Sequence, residues 1–309
     1  MTLGRHEPPG SVALESRVDA RWARMLVEQP DLAPVIDLQR TLIGTQLAAL
    51  RAIGARGTPP VLPRSERIAD HLATGRPVLS VEPPEPPALL GPLVWKFARD
   101  LANAGAGDGA SHLAGLLAER RLDGGSIVAR SLARDTQAFR STAVQFGLAP
   151  DLLWLVGELA AAPYAHVCAE AVMSSEDSRV GSALLGWTRG SCPICGSRPA
   201  LAEHTSGRWT LRCSFCATGW GAPGDVCVYC GSRDRLSTVA DSKLPASRLV
   251  ACGGCDAYLK IVAREFPLVF PLQALEDLAT ADLDRTAIER GLHRPALDDR
   301  PGGRPCERV

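Results

Sequence analysis

Residues 192–198 read CPICGSR, and residues 227–233 read CVYCGSR. Each block opens on a Cys-x-x-Cys pair. Each pair is answered further on by a second one, Cys213/Cys216 after the first block and Cys252/Cys255 after the second. Two cysteines three apart put both sulfurs on one ion across a tight turn, and a tetrahedral site needs two such turns. The repeated blocks mark two tandem units. They assign Cys192, Cys195, Cys213 and Cys216 to one ion and Cys227, Cys230, Cys252 and Cys255 to the other. An interleaved pairing is the alternative.

The loops between pairs are 17, 10 and 21 residues long. They offer two hairpins, 201–204 with 208–212 and 235–240 with 248–251. Neither is long enough to build an ordinary core, so the metal is expected to supply the folding energy. Gly196 and Gly231 follow the second cysteine of a turn, where positive φ is often required. Four-sulfur sites suit zinc or iron. The absence of histidine from all four turns keeps a rubredoxin-like iron site open beside a zinc ribbon. Eight cysteines on two ions leave no open coordination position, which argues against catalytic metal. The cofactor expectation is therefore two ions, iron or zinc, each in four thiolates.

Disulfides are the alternative use of so many cysteines, and they need an oxidising compartment. The N-terminal stretch MTLGRHEPPGSV has no apolar signal-like run, so the expectation is a reduced, cytoplasmic protein. Cys168 reads as a small buried residue of an apolar helix, and Cys306 as incidental.

Working outward, residues 11–190 read as helices. Val18, Trp22 and Met25 share one helical face, as do Leu32, Val35 or Ile36, Leu42 or Ile43, Leu47 and Leu50. Asp31 is a candidate start signal for the second helix. Further helices are expected near 65–74, 87–104, 110–121, 134–146, 150–162 and 164–173. The prolines of 56–64 and 76–87 mark surface crossings. The stretch 152–173 is apolar, but Glu158, Pro163, His166 and Glu170 interrupt it, so a buried helix pair is expected and no membrane span. The AGAGDG run at 104–109 follows a helix and lacks a Lys-Ser/Thr, which sets aside a phosphate loop. The expected fold is thus α+β, an all-α domain over 1–190 followed by tandem rubredoxin-like or zinc-ribbon modules with a C-terminal helix over 191–294. Residues 295–309 read as a disordered tail.

Three classes of function compete. No catalytic constellation stands out among six scattered histidines, so no catalytic residue is assigned and an enzyme is not expected. A nucleic-acid-binding ribbon needs a basic footprint. Residues 192–260 hold eight Lys/Arg against five Asp/Glu; eight thiolates on two divalent ions bring the formal charge to about −1, and ferric ions to about +1. An iron-thiolate electron carrier leaves the large helical part unexplained. A binding protein, an assembly chaperone, uses both parts.

The runs CPICGSRPA, RWTLRCSFCATGW, CVYCGS and CGGCDAYLK resemble the formate dehydrogenase accessory protein (FdhE) family. The resemblance continues in Glu276-Asp277-Leu278-Ala279, Leu283-Asp284, Gly291 and Arg294, and more loosely in Arg21-Trp22 and Gln46. It implies a helical domain before two rubredoxin-like ribbons. It also implies a cytoplasmic accessory factor that binds the catalytic subunit of a formate dehydrogenase and is needed for that enzyme to mature. The aromatic tips Trp220 and Tyr229 and the acidic Glu276 and Asp277 are the expected partner-binding side chains.

Overall fold

In the computed structural model, which describes residues 12–205, 207–222, 225–233, 236–240, 246–264 and 267–295, helices fill the chain up to residue 185. Helix α1 (Val12–Glu28) buries Val18, Trp22 and Met25, the face read from the sequence. Helix α2 (Ala33–Ala55) buries Ile36, Leu42, Ile43, Leu47 and Leu50. Asp31 is not its cap: it lies in a 3-10 turn over Pro30–Leu32, and Pro34 pre-sets the first turn of α2.

Helices α5 (Gly91–Asn103) and α6 (Asp108–Ala118) are joined by the AGAGDG run, with Gly105 and Gly107 at φ 79° and 87°. That run is a helix-to-helix turn. Helix α7 (Gly124–Leu132) was not expected, since two glycines open it. Asp123 caps it, accepting the Ser126 N–H at 2.7 Å. Gly124 is there because a Cβ would lie 2.2 Å from the Gly91 carbonyl oxygen. Helix α8 (Thr136–Phe146) is capped by Asp135 and closed by Gly147 in the left-handed conformation.

The expected helix pair over 150–173 is one continuous helix, α9 (Pro150–Met173), with Pro163 inside it. Proline lacks the N–H that would bond the carbonyl four residues back, that of Leu159. Gln46 Nε2 donates to that carbonyl at 3.1 Å instead. The helix is long and apolar enough to cross a membrane, but 61% of its most apolar window is buried in the protein.

The described residues group into two compact units, one within Met1–Val61 and Pro84–Cys168, the other within Leu62–Pro83 and Ala169–Val309. Helices α3 (Ser65–Ala73), α4 (Val78–Val81) and α10 (Ser178–Leu185) therefore group with the cysteine ribbons, whereas the sequence reading placed every helix before residue 190 in one domain. The segment 76–82 is no surface crossing: Val78 and Leu79 are fully buried.

Each ribbon is a three-stranded meander. The first comprises β1 (Pro199–Thr205), β2 (Arg208–Cys213) and β3 (Gly219–Gly221). The second comprises β4 (Leu236–Ala240), β5 (Ser247–Cys252) and β6 (Tyr258–Ala263). Strands β1 and β6 pair in parallel, Ala202 opposite Ile261 and His204 opposite Ala263, so the ribbons fuse into one six-stranded sheet, β3-β2-β1-β6-β5-β4. His204 lies in this seam.

Side chains alternate across the sheet. One face carries Leu249, Tyr258 and Lys260. It is packed by helices α11 (Leu272–Ala279) and α12 (Ala281–Glu289), with Leu249, Tyr258, Leu283 and Ala287 in a common core. The second ribbon and α12 thus share an apolar core that the hairpin could not build alone.

Candidate metal centres

Four turns present the sulfurs, and all four are built alike. In each, the residue after the second cysteine has positive φ: Gly196 at 79°, Ala217 at 62°, Gly231 at 77° and Asp256 at 53°. The glycines were expected. Ala217 and Asp256 were not, since glycine is the only sequence signal for this conformation. The chain then folds back on itself. The Cys192 N–H donates to Ser197 O at 2.9 Å, Cys213 to Thr218 O at 3.0 Å, Cys227 to Ser232 O at 2.8 Å and Cys252 to Ala257 O at 2.9 Å. Backbone N–H groups curl round the sulfurs, Ile194 to Cys192 Sγ, Phe215 to Cys213 Sγ and Gly254 to Cys252 Sγ, each at 3.4 Å.

The turns meet in two clusters, Cys192, Cys195, Cys213 and Cys216 in one and Cys227, Cys230, Cys252 and Cys255 in the other, with all sulfurs of a cluster within 4.8 Å of one another. This is the tandem grouping. Across the first cluster Cys192–Cys216 and Cys195–Cys213 lie 3.6 and 3.3 Å apart. Across the second, Cys227–Cys255 and Cys230–Cys252 lie 3.8 and 3.7 Å apart. A tetrahedron of sulfurs about 2.3 Å from an ion has edges of about 3.8 Å. The donor set and its spacing fit a four-thiolate ion, and each cluster could hold one.

The electrostatics lead the same way. Burial, reinforced by the neighbouring sulfurs, pushes the Cys192 and Cys216 thiols well above their ordinary range. Burial pushes Cys227 up to about 11. Such thiols do not ionise together unaided, and a bound cation would convert them to thiolates. Ser197 and Thr218 stand beside the first cluster, with hydroxyl oxygens 3.2 Å from Cys195 Sγ and 3.0 Å from Cys216 Sγ. The sequence reading missed this pair; the repeated Cys-Gly-Ser was the available signal for Ser197. Helix α4 was also missed. Its Val78 and Leu79 N–H groups donate to Pro193 O and Ile194 O at 3.1 and 2.7 Å, closing over the first turn.

Of the four side chains expected at a partner surface, two are buried and a third, Asp277, is tied into ion pairs. Trp220 is 5% exposed, and its indole N–H donates to Arg189 O at 3.1 Å. Glu276 is 2% exposed and pairs with Arg264 at 3.0 Å. Asp277 and Asp284 hold Lys260, which is fully buried, and Arg294 closes over both carboxylates. Burial alone would raise the Asp277 carboxyl, but Lys260 and Arg294 hold it below the ordinary aspartate value. The acidic run after the ribbons is therefore an ion-paired clamp between α11, α12 and the sheet. Tyr229 is half-buried, with Arg198 stacked 6.0 Å from its ring centre. Cys168 is fully buried, its thiol pushed up to about 12 by burial. Cys306 and the tail beyond 295 lie outside the described residues.

Fold and sites together define a helical protein carrying a fused twin ribbon with two four-cysteine clusters. Similar curated proteins bear the name "Protein FdhE homolog". The one from Aquifex aeolicus is 36% identical over 113 residues, 34% of this chain and 39% of that protein. Those from Haemophilus influenzae (strain PittEE) and Edwardsiella ictaluri are 34% and 35% identical over 113 and 133 residues, 37% and 43% of their lengths. The chain thus spans about two fifths of the length of the curated relatives it matches. The crystal structure of the FdhE protein from Pseudomonas aeruginosa has the same fold, with TM-score 0.55 and 24% identity over 92% of this chain and 95% of that one. No protein-family model matches. The FdhE resemblance read from the cysteine runs is borne out by these relatives.

Proposed function

We propose that this chain is an accessory factor for formate dehydrogenase that binds the enzyme's catalytic subunit in the cytoplasm, with one iron or zinc ion in each cluster. The observation that carries this reading is the pair of four-sulfur clusters on one sheet. Four protein sulfurs fill a tetrahedron and leave no position for a substrate, which favours a binding protein over a metal enzyme. Clusters of reduced thiols suit a reducing compartment. The similarity to FdhE supplies the link to formate dehydrogenase. In this reading Tyr229 stands at the partner-facing side, while Trp220, Glu276 and Asp277 act indirectly by holding the ribbons and helices in place. Electron transfer through an iron-thiolate centre is the second reading; Cys230, which brings a sulfur to the surface, favours it.

Deleting the gene in its host tests the proposal. The expected result is loss of formate dehydrogenase activity with the catalytic polypeptide still made, and co-purification of that polypeptide with this chain in the wild type. Full activity in a strain lacking any second such gene would overturn it.

A further inference from the structure

The two clusters have the same ligands but different surroundings. Cys192, Cys195, Cys213 and Cys216 are each 0% exposed, whereas Cys230 is exposed and Cys255 half-buried. The difference begins in the sequence. The closing turn of the first cluster reads Cys-Ser-Phe-Cys, and Phe215 is buried against it. The closing turn of the second reads Cys-Gly-Gly-Cys, with no side chain to shield the sulfurs. Thr218, whose hydroxyl meets Cys216 Sγ, has Ala257 as its counterpart in the repeat. Helix α4 covers the first turn through two backbone hydrogen bonds, with Pro77 against Gly196. A cavity of about 260 Å³ lies beside the second cluster, and Cys227 and Cys252 form part of its wall together with Trp209, Val228 and Tyr229.

We infer that the second cluster is a ligand-exchanging metal centre, open to small chelating donors, while the first is a closed one. This rests on the reading that each cluster holds an ion. Exchange requires that an incoming donor reach the ion between the sulfurs, and that the cysteines let go one at a time, each thiolate taking up a proton from water. Cys230 and the cavity wall give that access at the second cluster. At the first, access requires local opening of α4 or the Phe215 turn, and the cost of that opening slows exchange.

The test uses the full chain loaded anaerobically with zinc and challenged with the chelator 4-(2-pyridylazo)resorcinol. One equivalent is expected to leave at least about tenfold faster than the other, a difference of ~1.4 kcal/mol in barrier. A pulse of iodoacetamide after the fast phase, read by peptide mass spectrometry, is expected to label Cys227, Cys230, Cys252 and Cys255 and to spare the first four cysteines. Leu79→Ala, which thins the cover over the first turn, is expected to speed the slow phase and leave the fast one unchanged. Two ions lost in step, or labelling that begins at Cys192 or Cys216, would overturn this inference alone. A folded chain that holds no ion would overturn the metal reading beneath it as well.

Discussion

Gln46 and Pro163 illustrate how a single side chain decides an element. Pro163 strips the Leu159 carbonyl of its helical partner, and Gln46 Nε2 replaces it at 3.1 Å. Gln46→Leu would leave that carbonyl unpaired away from water. We expect a loss of about 1–3 kcal/mol, seen as a lower urea midpoint at unchanged slope. Adding Pro163→Ala returns an N–H to the helix, so the double variant should lose less than Gln46→Leu predicts by addition. Strict additivity would show that the two residues are not coupled. Both residues were visible in the sequence, Gln46 as part of a resemblance and Pro163 as a helix breaker. Their pairing was not legible, because it depends on packing between helices far apart in the chain. The same limit hid Ala217 and Asp256, which take the glycine-like conformation because the turn around the sulfurs demands it, at a cost the local sequence does not announce.

At the level of elements, the hairpins were legible from turn chemistry and alternation, and β1, β2, β4 and β5 lie where the sequence placed them. Strands β3 and β6 and the parallel seam of β1 with β6 were not, since pairing between repeats leaves no local pattern. Residues 78–81 read as linker, yet Val78 and Leu79 of α4 are buried and its N–H groups bond the first cysteine turn. The acidic run after the ribbons read as a surface, yet Asp277 and Asp284 balance the buried Lys260. This clamp carries a pH signature. The folded Asp277 carboxyl is held below its ordinary value, so its contribution is fully present above about pH 4 and is lost as pH falls through the lowered value. We expect Asp277→Asn to cost ~1.5–3 kcal/mol at neutral pH. The gap between wild type and variant, measured by urea unfolding, should narrow as pH is taken from about 5 toward 3. A gap that stays constant or widens over that range would show that the clamp does not depend on the ionised carboxylate.

For the whole molecule, composition and periodicity were enough to separate a helical part from a cysteine-ribbon part, and the Cys-x-x-Cys repeat was enough to group the sulfurs. The division into compact units was not legible, because α3, α4 and α10 carry ordinary amphipathic patterns that do not say which core they join. The ribbons are likewise more than isolated hairpins: one sheet, a core shared by the second ribbon and α12, and two clusters that differ in cover. The central claim is that each cluster is a complete four-thiolate metal centre. Elemental analysis of the folded chain, purified anaerobically from its host, tests it most directly. The account expects about two ions of iron or zinc per chain, one for each set of four sulfurs. Folded protein carrying about one ion per chain or fewer would contradict it.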